Sequence, residues 1–488
     1  MQKIYDVILI GAGVIGSAIA RELSRYQVTV AVLEKETDVV TGTSGRNSAV
    51  LHAGFNNKPG TLMAKYCVEG NLGFDQVAKE LDVPFRRTGK LVVGFDEDDY
   101  NGLEALLSQG VKNGCPGLEI IDEERIARLA PGIGGRFALY SPMTGILDSF
   151  LYTIALAENA LKNGAEFFLN QKVTGISNSG ENYTVRTDTA QFTGRWVINC
   201  AGLYSDRIAS MLGITDYTIY PCRGEYFILD RKLSHLLPMP AYPVPNARSG
   251  GLGIHLTPTV DGTILIGPSA EYIDERDDYS STKTVMDILL EDGARIFPAL
   301  SPNAVIRSYA GIRPKLSGKS KGGYADFVIE ERDTSARAIH LIGIESPGLT
   351  ASLPIAREVV SRIAQKEDLK ENPRFDPTRS GIVRFRDLPR EEQRNLIEKD
   401  PNYGEIICRC ETVTRAEILE AVHNPLGVST FSGIKVRTRA MMGRCQGGYC
   451  QTRIAGMIME EKGLAPEDVI ASGKGSNLFV GRLRDHEV

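Results

Sequence analysis

Long apolar runs are missing from this sequence of 488 residues. The best candidate for a membrane span, residues 7–20, is too short for a bilayer, and its glycines fit a strand, a turn and a helix better. The design of a signal peptide is missing too, because Met1-Gln2-Lys3-Ile4-Tyr5-Asp6 leads directly into an apolar strand. We therefore expect a cytoplasmic protein, with peripheral membrane contact or association with partner subunits left open.

An excess of basic residues is also missing. The 56 Lys and Arg residues are outnumbered by 61 Asp and Glu residues, so the net charge is −5 and the pI is near 5.9. A mildly acidic chain gives no electrostatic reason to bind nucleic acid, although a local basic pocket for an anionic metabolite fits this balance. The length predicts two or three domains with a large buried core.

The eight cysteines are unevenly distributed. Four stand alone, and the other four crowd into one short region near the C-terminus, at Cys408, Cys410, Cys445 and Cys450. In a long cytosolic chain such a cluster indicates metal or redox chemistry rather than structural disulfides. We expect the isolated ones, Cys67, Cys115, Cys200 and Cys222, to be ordinary core or surface thiols.

A dinucleotide-binding fingerprint opens the chain. Gly11, Gly13 and Gly16 form a GxGxxG motif between a predicted strand at 4–9 and a predicted helix at 14–26. Glu34 ends the next predicted strand, 18 residues beyond Gly16. In such a βαβ unit the glycines allow a tight turn, close approach to a pyrophosphate and close helix–strand packing, while the acidic residue binds the ribose. The fingerprint predicts a dinucleotide but does not separate FAD from NAD.

The rest of the chain alternates strand and helix patterns before a separate C-terminal module. Residues 219–328 read as short strands between Gly/Pro turns, which favours a mostly antiparallel sheet. Residues 365–405 are charged and have little apolar periodicity, so we read them as a surface connector. Further patterns predict helices at 62–81, 122–129, 150–163, 205–212 and 351–363, and strands at 89–95, 171–177, 183–187, 195–200 and 338–344.

Three segments resemble the D-amino-acid-oxidase-like superfamily. They are Thr43-Ser44-Gly45-Arg46-Asn47-Ser48-Ala49-Val50-Leu51-His52-Ala53-Gly54, Ile198-Asn199-Cys200-Ala201-Gly202, and Gly343-Ile344-Glu345-Ser346-Pro347-Gly348-Leu349-Thr350. The resemblance covers about residues 1–365 and implies FAD, with a helix N-terminus facing the flavin pyrimidine. The cofactor-binding residues that it implies, together with the fingerprint, are Gly11, Gly13, Gly16, Glu34, Ser44, Arg46, Asn47, Ser48, Val173, Ala201, Gly202, Gly348, Leu349 and Thr350.

Within that superfamily the sequence is most similar to FAD-linked glycerol-3-phosphate dehydrogenases and oxidases and to L-2-hydroxyglutarate oxidases. Residues 48–54, Gly253-Ile254-His255-Leu256-Thr257-Pro258 and Ala310-Gly311-Ile312-Arg313-Pro314-Lys315 carry the similarity. Both families oxidise a secondary alcohol that bears anionic groups. The resemblance therefore implies a small anionic alcohol as the substrate.

Such a reaction needs a base for the hydroxyl proton and a cation that fixes the anionic end of the substrate. His52 is the first candidate for the base, because its segment resembles the one beside the isoalloxazine. His255 is the second, either as a base or as a hydrogen-bonding group. Arg313 is the best candidate for the anion clamp, since a guanidinium grips a carboxylate or phosphate with two hydrogen bonds; Arg46 and Lys315 are weaker candidates.

The C-terminal cysteines form a CxC pair and a CxxxxC pair, with 34 residues between Cys410 and Cys445. Four thiolates meet the full ligand demand of a [2Fe–2S] cluster. The pattern resembles the bacterioferritin-associated-ferredoxin-like [2Fe–2S] domain, which also ends some anaerobic glycerol-3-phosphate dehydrogenase subunits. Structural zinc is the main alternative, but its usual C-x₂₋₄-C spacing is not met by CxC.

These features together predict an α/β (α+β) fold of three parts. We expect a Rossmann-like FAD-binding domain at about 1–80, 145–215 and 330–365, and an antiparallel-sheet substrate domain at about 81–144 and 216–329. After the connector at 366–405, a small helical [2Fe–2S] domain occupies 406–463 and a polar tail follows at 464–488. Because a flavin collects two electrons and a cluster passes them singly, we expect a dehydrogenase that exports electrons to a protein or quinone acceptor.

The substrate is open between three classes at this stage. The leading hypothesis is sn-glycerol 3-phosphate, oxidised to dihydroxyacetone phosphate. The alternatives are L-2-hydroxyglutarate or another 2-hydroxy acid, and an amine or imino acid on the same fold. A non-catalytic flavoprotein subunit is a further reading, and the joint presence of His52, His255 and Arg313 argues against it.

Overall fold

A computed structural model describes residues 3–245 and 253–481. Residues 482–488 of the predicted tail lie outside the described residues. The strands are β1 Ile4–Ile10, β2 Val30–Leu33, β3 Val50–Leu51, β4 Phe85–Arg86, β5 Lys90–Gly94, β6 Glu119–Asp122, β7 Phe137–Ser141, β8 Gly145–Leu147, β9 Glu166–Phe168, β10 Val173–Asn178, β11 Tyr183–Thr187, β12 Gln191–Asn199, β13 Tyr220–Leu229, β14 Ala241–Pro243, β15 His255–Pro258, β16 Ile264–Gly267, β17 Glu271–Tyr272, β18 Val305–Lys315, β19 Val328–Glu331, β20 Ala338–Ile342, β21 Ile406–Cys408 and β22 Val413–Thr414.

The α-helices alternate with these strands in the first part of the chain and dominate the last part. They are α1 Val14–Leu23, α2 Leu62–Leu72, α3 Phe74–Glu80, α4 Glu97–Lys112, α5 Glu123–Leu129, α6 Ser149–Lys162, α7 Ser205–Ser210, α8 Lys283–Ile296, α9 Gly348–Ala364, α10 Arg390–Lys399, α11 Arg415–Val422, α12 Phe431–Thr438 and α13 Gln451–Lys462.

The first sheet is built around β1, whose run of Val, Ile and Leu is buried on both faces, as a central parallel strand requires. β1 pairs in parallel with β2 and β12, and the sheet runs β10-β11-β12-β1-β2-β9, with β20 added beside β12 and β19 beside β20. Helices α1, α6 and α9 pack on this sheet through one apolar core. The predicted βαβ unit and parallel sheet are confirmed.

Two glycines of the fingerprint are required by close packing. Gly11 has a φ of +102°, and a Cβ there would lie 2.6 Å from the Cys200 carbonyl oxygen. A Cβ on Gly16 would lie 1.9 Å from the Gly11 carbonyl oxygen, so α1 can approach β1 only through a residue without a side chain.

The second sheet holds the segment predicted to be antiparallel. Its strand order is β17-β13-β16-β15-β14-β5-β7-β6, with β18 beside β13 along nearly its whole length. All its pairings are antiparallel except β14 with β5. This sheet has its own apolar core, separate from that of the first sheet.

Two helices in this half of the molecule were not expected from the sequence. α4 begins after Asp96, whose carboxylate accepts the Asp99 N–H at 2.9 Å, and three acidic residues fill its first turn. That capping signal was present in the sequence. α8 interrupts the run of short strands and packs one apolar stripe, which includes Leu289 and Ile296, into the core of the second sheet.

The connector is more structured than its composition indicated. Its first part follows the surface of the first domain, where Gln27 N–H donates to the Lys370 carbonyl (2.8 Å) and Asn372 N–H to the Arg25 carbonyl (2.7 Å). Its second part contains the polar helix α10. The sequence pattern could not predict this helix, because none of the described residues 390–399 is buried and the helix therefore needs no apolar stripe. The C-terminal module is a small helical unit with its own core, as predicted, and that core continues past residue 463 to Val469.

Among residues 3–245 and 253–481, no helix combines the length and apolar character needed to cross a bilayer.

Candidate functional site

A single cavity of about 1830 Å³ runs between the two sheets. Typical small-molecule pockets have ~300–1,000 Å³, so this cavity has room for a dinucleotide and a substrate together. Nearly all the residues predicted to bind the cofactor or the substrate line it. The exceptions are Gly16, which packs beneath Gly11, and Thr350, which lies just behind the wall.

At one end of the cavity the N-terminus of α1 meets Ser44. The Ser44 hydroxyl accepts the Val14 N–H at 2.9 Å, in the place where a phosphate would be received. Glu34 accepts the Ala12 N–H (2.8 Å) and the Glu36 N–H (3.0 Å) through its two carboxylate oxygens. Burial raises the pKa of the Glu34 carboxyl, and these two backbone donors oppose that shift.

The segment after Ser44 is held in shape by Asn47. Its amide donates to the Thr43 and Ser44 carbonyls at 3.1 and 2.7 Å, and its Oδ1 accepts the Ala49 N–H at 2.8 Å. Ala49 itself has a φ of +54°. Asn47 therefore fixes a strained loop that directs the next residues into the cavity.

Arg46 and Ser48 take different directions from this loop. The Arg46 guanidinium lies 4.2 Å from the centre of the Tyr279 ring and donates to the Thr41 carbonyl at 3.2 Å. The Ser48 hydroxyl lies against Tyr226, whose ring stacks on Tyr309 with centroids 4.6 Å apart.

The other cofactor candidates line the cavity at the edge of the first sheet and at the start of α9. Val173 begins β10, and Ala201 and Gly202 follow β12, where Gly202 has a φ of +52°. Gly348 and Leu349 begin α9, so the N-terminus of a long helix faces the cavity.

His52 lies beside that helix. Its backbone N–H donates to Thr350 Oγ1 at 3.0 Å, and its ring Nε2 lies 3.5 Å from Ser346 Oγ. Burial, reinforced by the ammonium group of Lys90, lowers the pKa of His52 to about 3. The imidazole is therefore neutral at pH 7 and able to accept a proton.

His255 faces the cavity from β15 and is stacked on Tyr242, with ring centroids 3.6 Å apart and an interplanar angle of 12°. Its Nδ1 lies 2.9 Å from the Gly253 carbonyl oxygen, an acceptor, which assigns the ring hydrogen to Nδ1. Nε2 has no hydrogen-bond partner within the described ranges. Burial lowers the pKa of His255 well below its usual 6.5, so this imidazole is also neutral.

Arg313 lies on β18, and both of its terminal nitrogens donate to the Ser269 carbonyl at 3.2 Å. Nη1 also donates to Cys222 Sγ at 3.7 Å, and these two acceptors leave further donors of the guanidinium for a ligand in the cavity. Lys315, two residues further on the strand, is instead engaged by Glu345 at 3.0 Å and by the Gly323 carbonyl at 2.9 Å. Of these two cations Arg313 is the better placed to hold an anionic substrate.

The four clustered cysteines come together as two pairs in the C-terminal module. The Cys408 thiol lies beside that of Cys450, and the Cys410 thiol lies beside that of Cys445. Within the described ranges no group of three or more Cys, His, Asp and Glu side chains converges as a single-ion site. Two pairs suit a [2Fe–2S] cluster, in which each of two irons takes two protein ligands.

Backbone N–H groups surround these sulfurs. Met441 N–H points to both members of the Cys408–Cys450 pair, and the Gly447 and Tyr449 N–H groups point to Cys445. A Cβ on Gly443 would lie 2.3 Å from the Cys410 Cβ, so only glycine fits there. Such donors stabilise thiolate sulfur, and the residues present therefore fit the cluster.

A buried group of charges fastens the module to the second sheet beside Cys410. The Glu411 carboxylate, 1% exposed, pairs with Arg386 at 2.5 Å and with Arg231 at 2.7 Å. Asp261, in the turn between β15 and β16, pairs with Arg439 at 2.7 Å. Arg231 also donates to the Cys410 carbonyl at 3.1 Å. The cysteine site thus lies against the same domain that carries His255.

Sequence reasoning missed Lys90, Tyr242 and Asp38, all of which line the cavity. Lys90 opens an apolar strand, a position that normally places a lysine at the surface, and Tyr242 lies outside every recognisable motif. No signal in the sequence could have selected them.

These features define a redox enzyme with a nucleotide cofactor and a second redox centre. The features are a parallel dinucleotide-binding sheet, a cavity lined by neutral imidazoles and a guanidinium, and a four-cysteine module. The model of a family described as FAD dependent oxidoreductase matches residues 6–362, and that of a BFD-like [2Fe-2S] binding domain matches residues 406–460. The chain belongs to the FAD dependent oxidoreductase family. It binds FAD and, in its C-terminal module, a [2Fe–2S] cluster.

Its relatives are similar over most of their length. A protein from Caloramator mitchellensis called glycerol 3-phosphate dehydrogenase is 39% identical over 98% of this chain and 98% of its own. A mitochondrial L-2-hydroxyglutarate dehydrogenase from Caenorhabditis elegans is 34% identical over 73% of this chain and 92% of its own. The solved structure of L-alpha-glycerophosphate oxidase from Mycoplasma pneumoniae, dithionite reduced with FAD bound, is 29% identical, with a TM-score of 0.71 over 78% of this chain and 99% of its own.

Proposed function

We propose that this chain is a dehydrogenase that oxidises sn-glycerol 3-phosphate to dihydroxyacetone phosphate and exports the electrons through its [2Fe–2S] centre. The observation that carries the proposal is the cavity, which brings the predicted cofactor-binding residues together with His52, His255 and Arg313. The choice of substrate is supported by the relative called glycerol 3-phosphate dehydrogenase, because its similarity extends over both the oxidoreductase part and the cysteine module.

When bound, FAD supplies the hydride acceptor and the cluster supplies a one-electron exit. The chain's own residues prepare the substrate for that chemistry. Arg313 binds the anionic group and so fixes the position of the carbon that carries the hydroxyl. His52, or in second place His255, accepts the hydroxyl proton on a neutral imidazole nitrogen.

We also propose Cys408, Cys410, Cys445 and Cys450 as the cluster ligands, two thiolates to each iron. The pairing of the thiols and the backbone donors around them support this assignment. The cysteines outside the module are less suited, because Cys67, Cys115 and Cys222 are buried in the two larger domains, where Cys67 and Cys115 lie near each other and Cys222 lies apart on β13.

The enzyme needs a small substrate and an electron acceptor. We propose a protein or a quinone as the acceptor and the cytoplasm as the location. For the domain limits we propose FAD-binding segments at about 1–80, 145–215 and 330–365, a substrate part at 81–144 and 216–329, a connector at 366–405, the cluster module at 406–463 and a tail beyond it. The two sheets with separate cores support this division.

Anaerobic titration of the oxidised protein with sn-glycerol 3-phosphate tests the substrate. We expect bleaching of the flavin absorbance, followed by the spectral change of the reduced cluster. L-2-Hydroxyglutarate and an amino acid serve as parallel substrates, and the Arg313→Met variant serves as the control that should bind poorly. Failure of glycerol 3-phosphate to bleach the flavin of well-loaded protein contradicts the proposal.

L-2-Hydroxyglutarate is the second candidate. Relatives named L-2-hydroxyglutarate dehydrogenase are 30–34% identical to this chain over about three quarters of its length. A dicarboxylate would need two cationic contacts, and the cavity holds Lys90 as well as Arg313. Faster flavin reduction by this substrate in the same titration would favour it.

The electron acceptor is tested separately. Fully reduced enzyme mixed with oxygen should be reoxidised slowly compared with enzyme mixed with a one-electron dye or a quinone. Rapid reoxidation by oxygen without any other acceptor would make the enzyme an oxidase instead.

A further inference from the structure

His52, the first candidate for the base, lies just beyond the end of a strand. It follows β3, which belongs to a small sheet of three strands in the order β3-β8-β4. The last pair of the β3–β8 ladder is Leu51 with Gly145, so His52 lies outside the ladder. Its backbone N–H and carbonyl, which must find partners when buried, are therefore held by side chains of other elements.

Two helices hold the backbone of His52, one at each of its polar groups. The His52 N–H donates to Thr350 Oγ1 of α9 at 3.0 Å. The His52 carbonyl accepts from Asn71 Nδ2 of α2 at 2.9 Å and from Cys67 Sγ, one turn earlier on α2, at 3.4 Å. Asn71 and Thr350 are each only 1% exposed, so water does not compete for these bonds. The bonds therefore fix the position of the His52 main chain.

The imidazole of His52 has much weaker support of its own. Within the described ranges its ring makes one hydrogen-bond contact, from Nε2 to Ser346 Oγ at 3.5 Å, which is the outer limit for such a bond. The place of the ring in the cavity is therefore set by the main chain from which it projects.

Asn71 is itself held in one orientation. Its amide nitrogen also donates to the carbonyl of Met143, which precedes β8, at 2.9 Å. Its Oδ1 accepts from Arg87 Nη1 at 2.9 Å, and Arg87, which follows β4, pairs with Asp75. A guanidinium can only donate, so the Asn71 oxygen must face Arg87 and the amide nitrogen must face the two carbonyls. The side chain of Asn71 thus joins the chain beyond the ends of all three strands.

We propose that Asn71 is a positioning residue, which holds His52 by its backbone carbonyl so that the imidazole can accept the proton of the substrate hydroxyl. The proposal rests on the proposed function, in which His52 is the first candidate for this base. A displacement of ~1 Å at a reacting group can cost ~100-fold in rate. The anionic end of the substrate is assigned to Arg313 on the second sheet. Asn71 should therefore affect the rate of flavin reduction and not the affinity for the substrate.

Asn71→Ala and Asn71→Asp test the proposal. Alanine removes the amide, and aspartate keeps its size but presents an oxygen to the two carbonyls. In anaerobic stopped-flow reduction by sn-glycerol 3-phosphate, we expect the limiting rate to fall about 10–100-fold in both variants. The substrate dissociation constant should change by less than about threefold. A loss that appears only as weaker substrate binding overturns the proposal.

Asn159 provides a matched control for a purely structural role. This asparagine of α6 is fully buried, donates to the Asp376 and Thr378 carbonyls at 3.0 Å each, and accepts from Arg21 Nε at 3.0 Å. It thus has the same bonding pattern as Asn71 but holds the connector instead of His52. Asn159→Ala should lower the urea midpoint about as much as Asn71→Ala and leave the rate of flavin reduction unchanged. An equal loss of rate in Asn159→Ala and Asn71→Ala overturns the proposal.

A double-variant cycle tests whether Asn71 acts through His52. Once His52→Gln has removed the imidazole, Asn71→Ala should lower the rate by less than about threefold further. The full loss in both backgrounds would mean that Asn71 acts on another group, and it overturns the proposal.

A measurement without substrate separates this proposal from the proposed function. In ¹⁵N NMR of the FAD-loaded protein labelled at its six histidines, His52→Gln assigns the ring signals of His52. Both Asn71 variants should shift or broaden these signals, because the imidazole loses its fixed position, and Asn159→Ala should leave them unchanged. Unchanged ring signals in both Asn71 variants overturn the proposal, whichever substrate the chain oxidises. Altered ring signals together with no bleaching of the wild-type flavin by glycerol 3-phosphate would support the positioning role and contradict only the choice of substrate.

Discussion

Arg437 of the cluster module forms a buried, two-point ion pair with Asp38 of the FAD-binding part. The distances are 2.6 Å from Nη1 to Oδ2 and 3.1 Å from Nη2 to Oδ1, and the two side chains are 1% and 5% exposed. Asp38 lies four residues after Glu34 and lines the cavity. The loop that borders the dinucleotide end of the cavity is thus attached directly to the module that holds the second redox centre.

Removing one member of the Asp38–Arg437 pair should lower the stability of the folded protein. Asp38→Asn or Arg437→Met leaves a buried charge without its partner, so we expect the free energy of unfolding to fall by about 3–5 kcal/mol. The double variant should lose less than the sum of the single losses, because no unpaired ion is left. Urea unfolding measures this, with Glu124→Gln in the exposed Glu124–Arg128 pair as a control that changes stability by less than about 1 kcal/mol. Additive losses would show that the pair does not stabilise the contact.

The ionisation of Asp148 should make the stability of the fold depend on pH. Burial, together with the nearby Asp261 carboxylate, raises the pKa of Asp148 from 3.8 to about 6. The folded state then binds a proton more tightly than the unfolded state, so this group stabilises the fold below pH 4 and loses that effect as the pH rises through 6. Asp148→Asn keeps the cap on the Leu151 N–H and removes the ionisation.

We therefore expect Asp148→Asn to be more stable than the wild type by about 1–3 kcal/mol at pH 8 and nearly equal to it near pH 4. Thermal or urea unfolding at the two pH values tests this difference. Asp96→Asn, at the exposed N-terminus of α4, is the matched cap control and should show no comparable gain at pH 8. Equal stability of Asp148→Asn and wild type at pH 8 would contradict the ionisation argument.

Cys445→Ser should separate the two redox centres. The variant loses one proposed thiolate ligand, so anaerobically purified protein should lose most of its iron and the cluster absorbance while it keeps FAD and is still bleached by substrate. Cys115→Ser is the control, because Cys115 donates to the Ala53 carbonyl at 3.0 Å inside the substrate half, and serine retains that donor. Full iron content in Cys445→Ser would remove this residue from the ligand set.

Substitutions of Arg313 and Lys315 should have very different effects on substrate binding, although the two residues are only two positions apart. Arg313→Met removes a guanidinium with free donors, so we expect kcat/KM for the anionic substrate to fall about 100-fold or more, mostly through KM. Arg313→Lys should recover part of this loss by keeping the charge. Lys315→Met breaks the ion pair with Glu345 and should affect stability more than KM. A larger rise in KM for Lys315→Met than for Arg313→Met would reverse the assignment of the clamp.

The part of the molecule that could be predicted is the part whose chemistry depends on local spacing. Gly11 and Gly16 reveal a strand, a tight turn and a helix because only glycine fits the contacts that this geometry demands. The segments that contain His52, His255 and Arg313 were selected by resemblance, and the structure brings all three residues to one cavity, although β15 and β18 belong to the antiparallel sheet. The bounds of the connector were harder, because helix α10 has too few apolar residues for a periodic pattern.

By itself the sequence determined the redox class of this protein, because dinucleotide binding and cluster ligation depend on glycines and cysteines that are closely spaced in the chain. Only the tertiary structure decided which charges meet. Asp38 and Arg437 are 399 positions apart in the chain, and Lys90 lies over the ring of Tyr242, which stacks on His255, although the three residues belong to different strands. Electrostatic interactions depend on distance through the folded protein and on burial, and neither quantity can be read from separation along the chain.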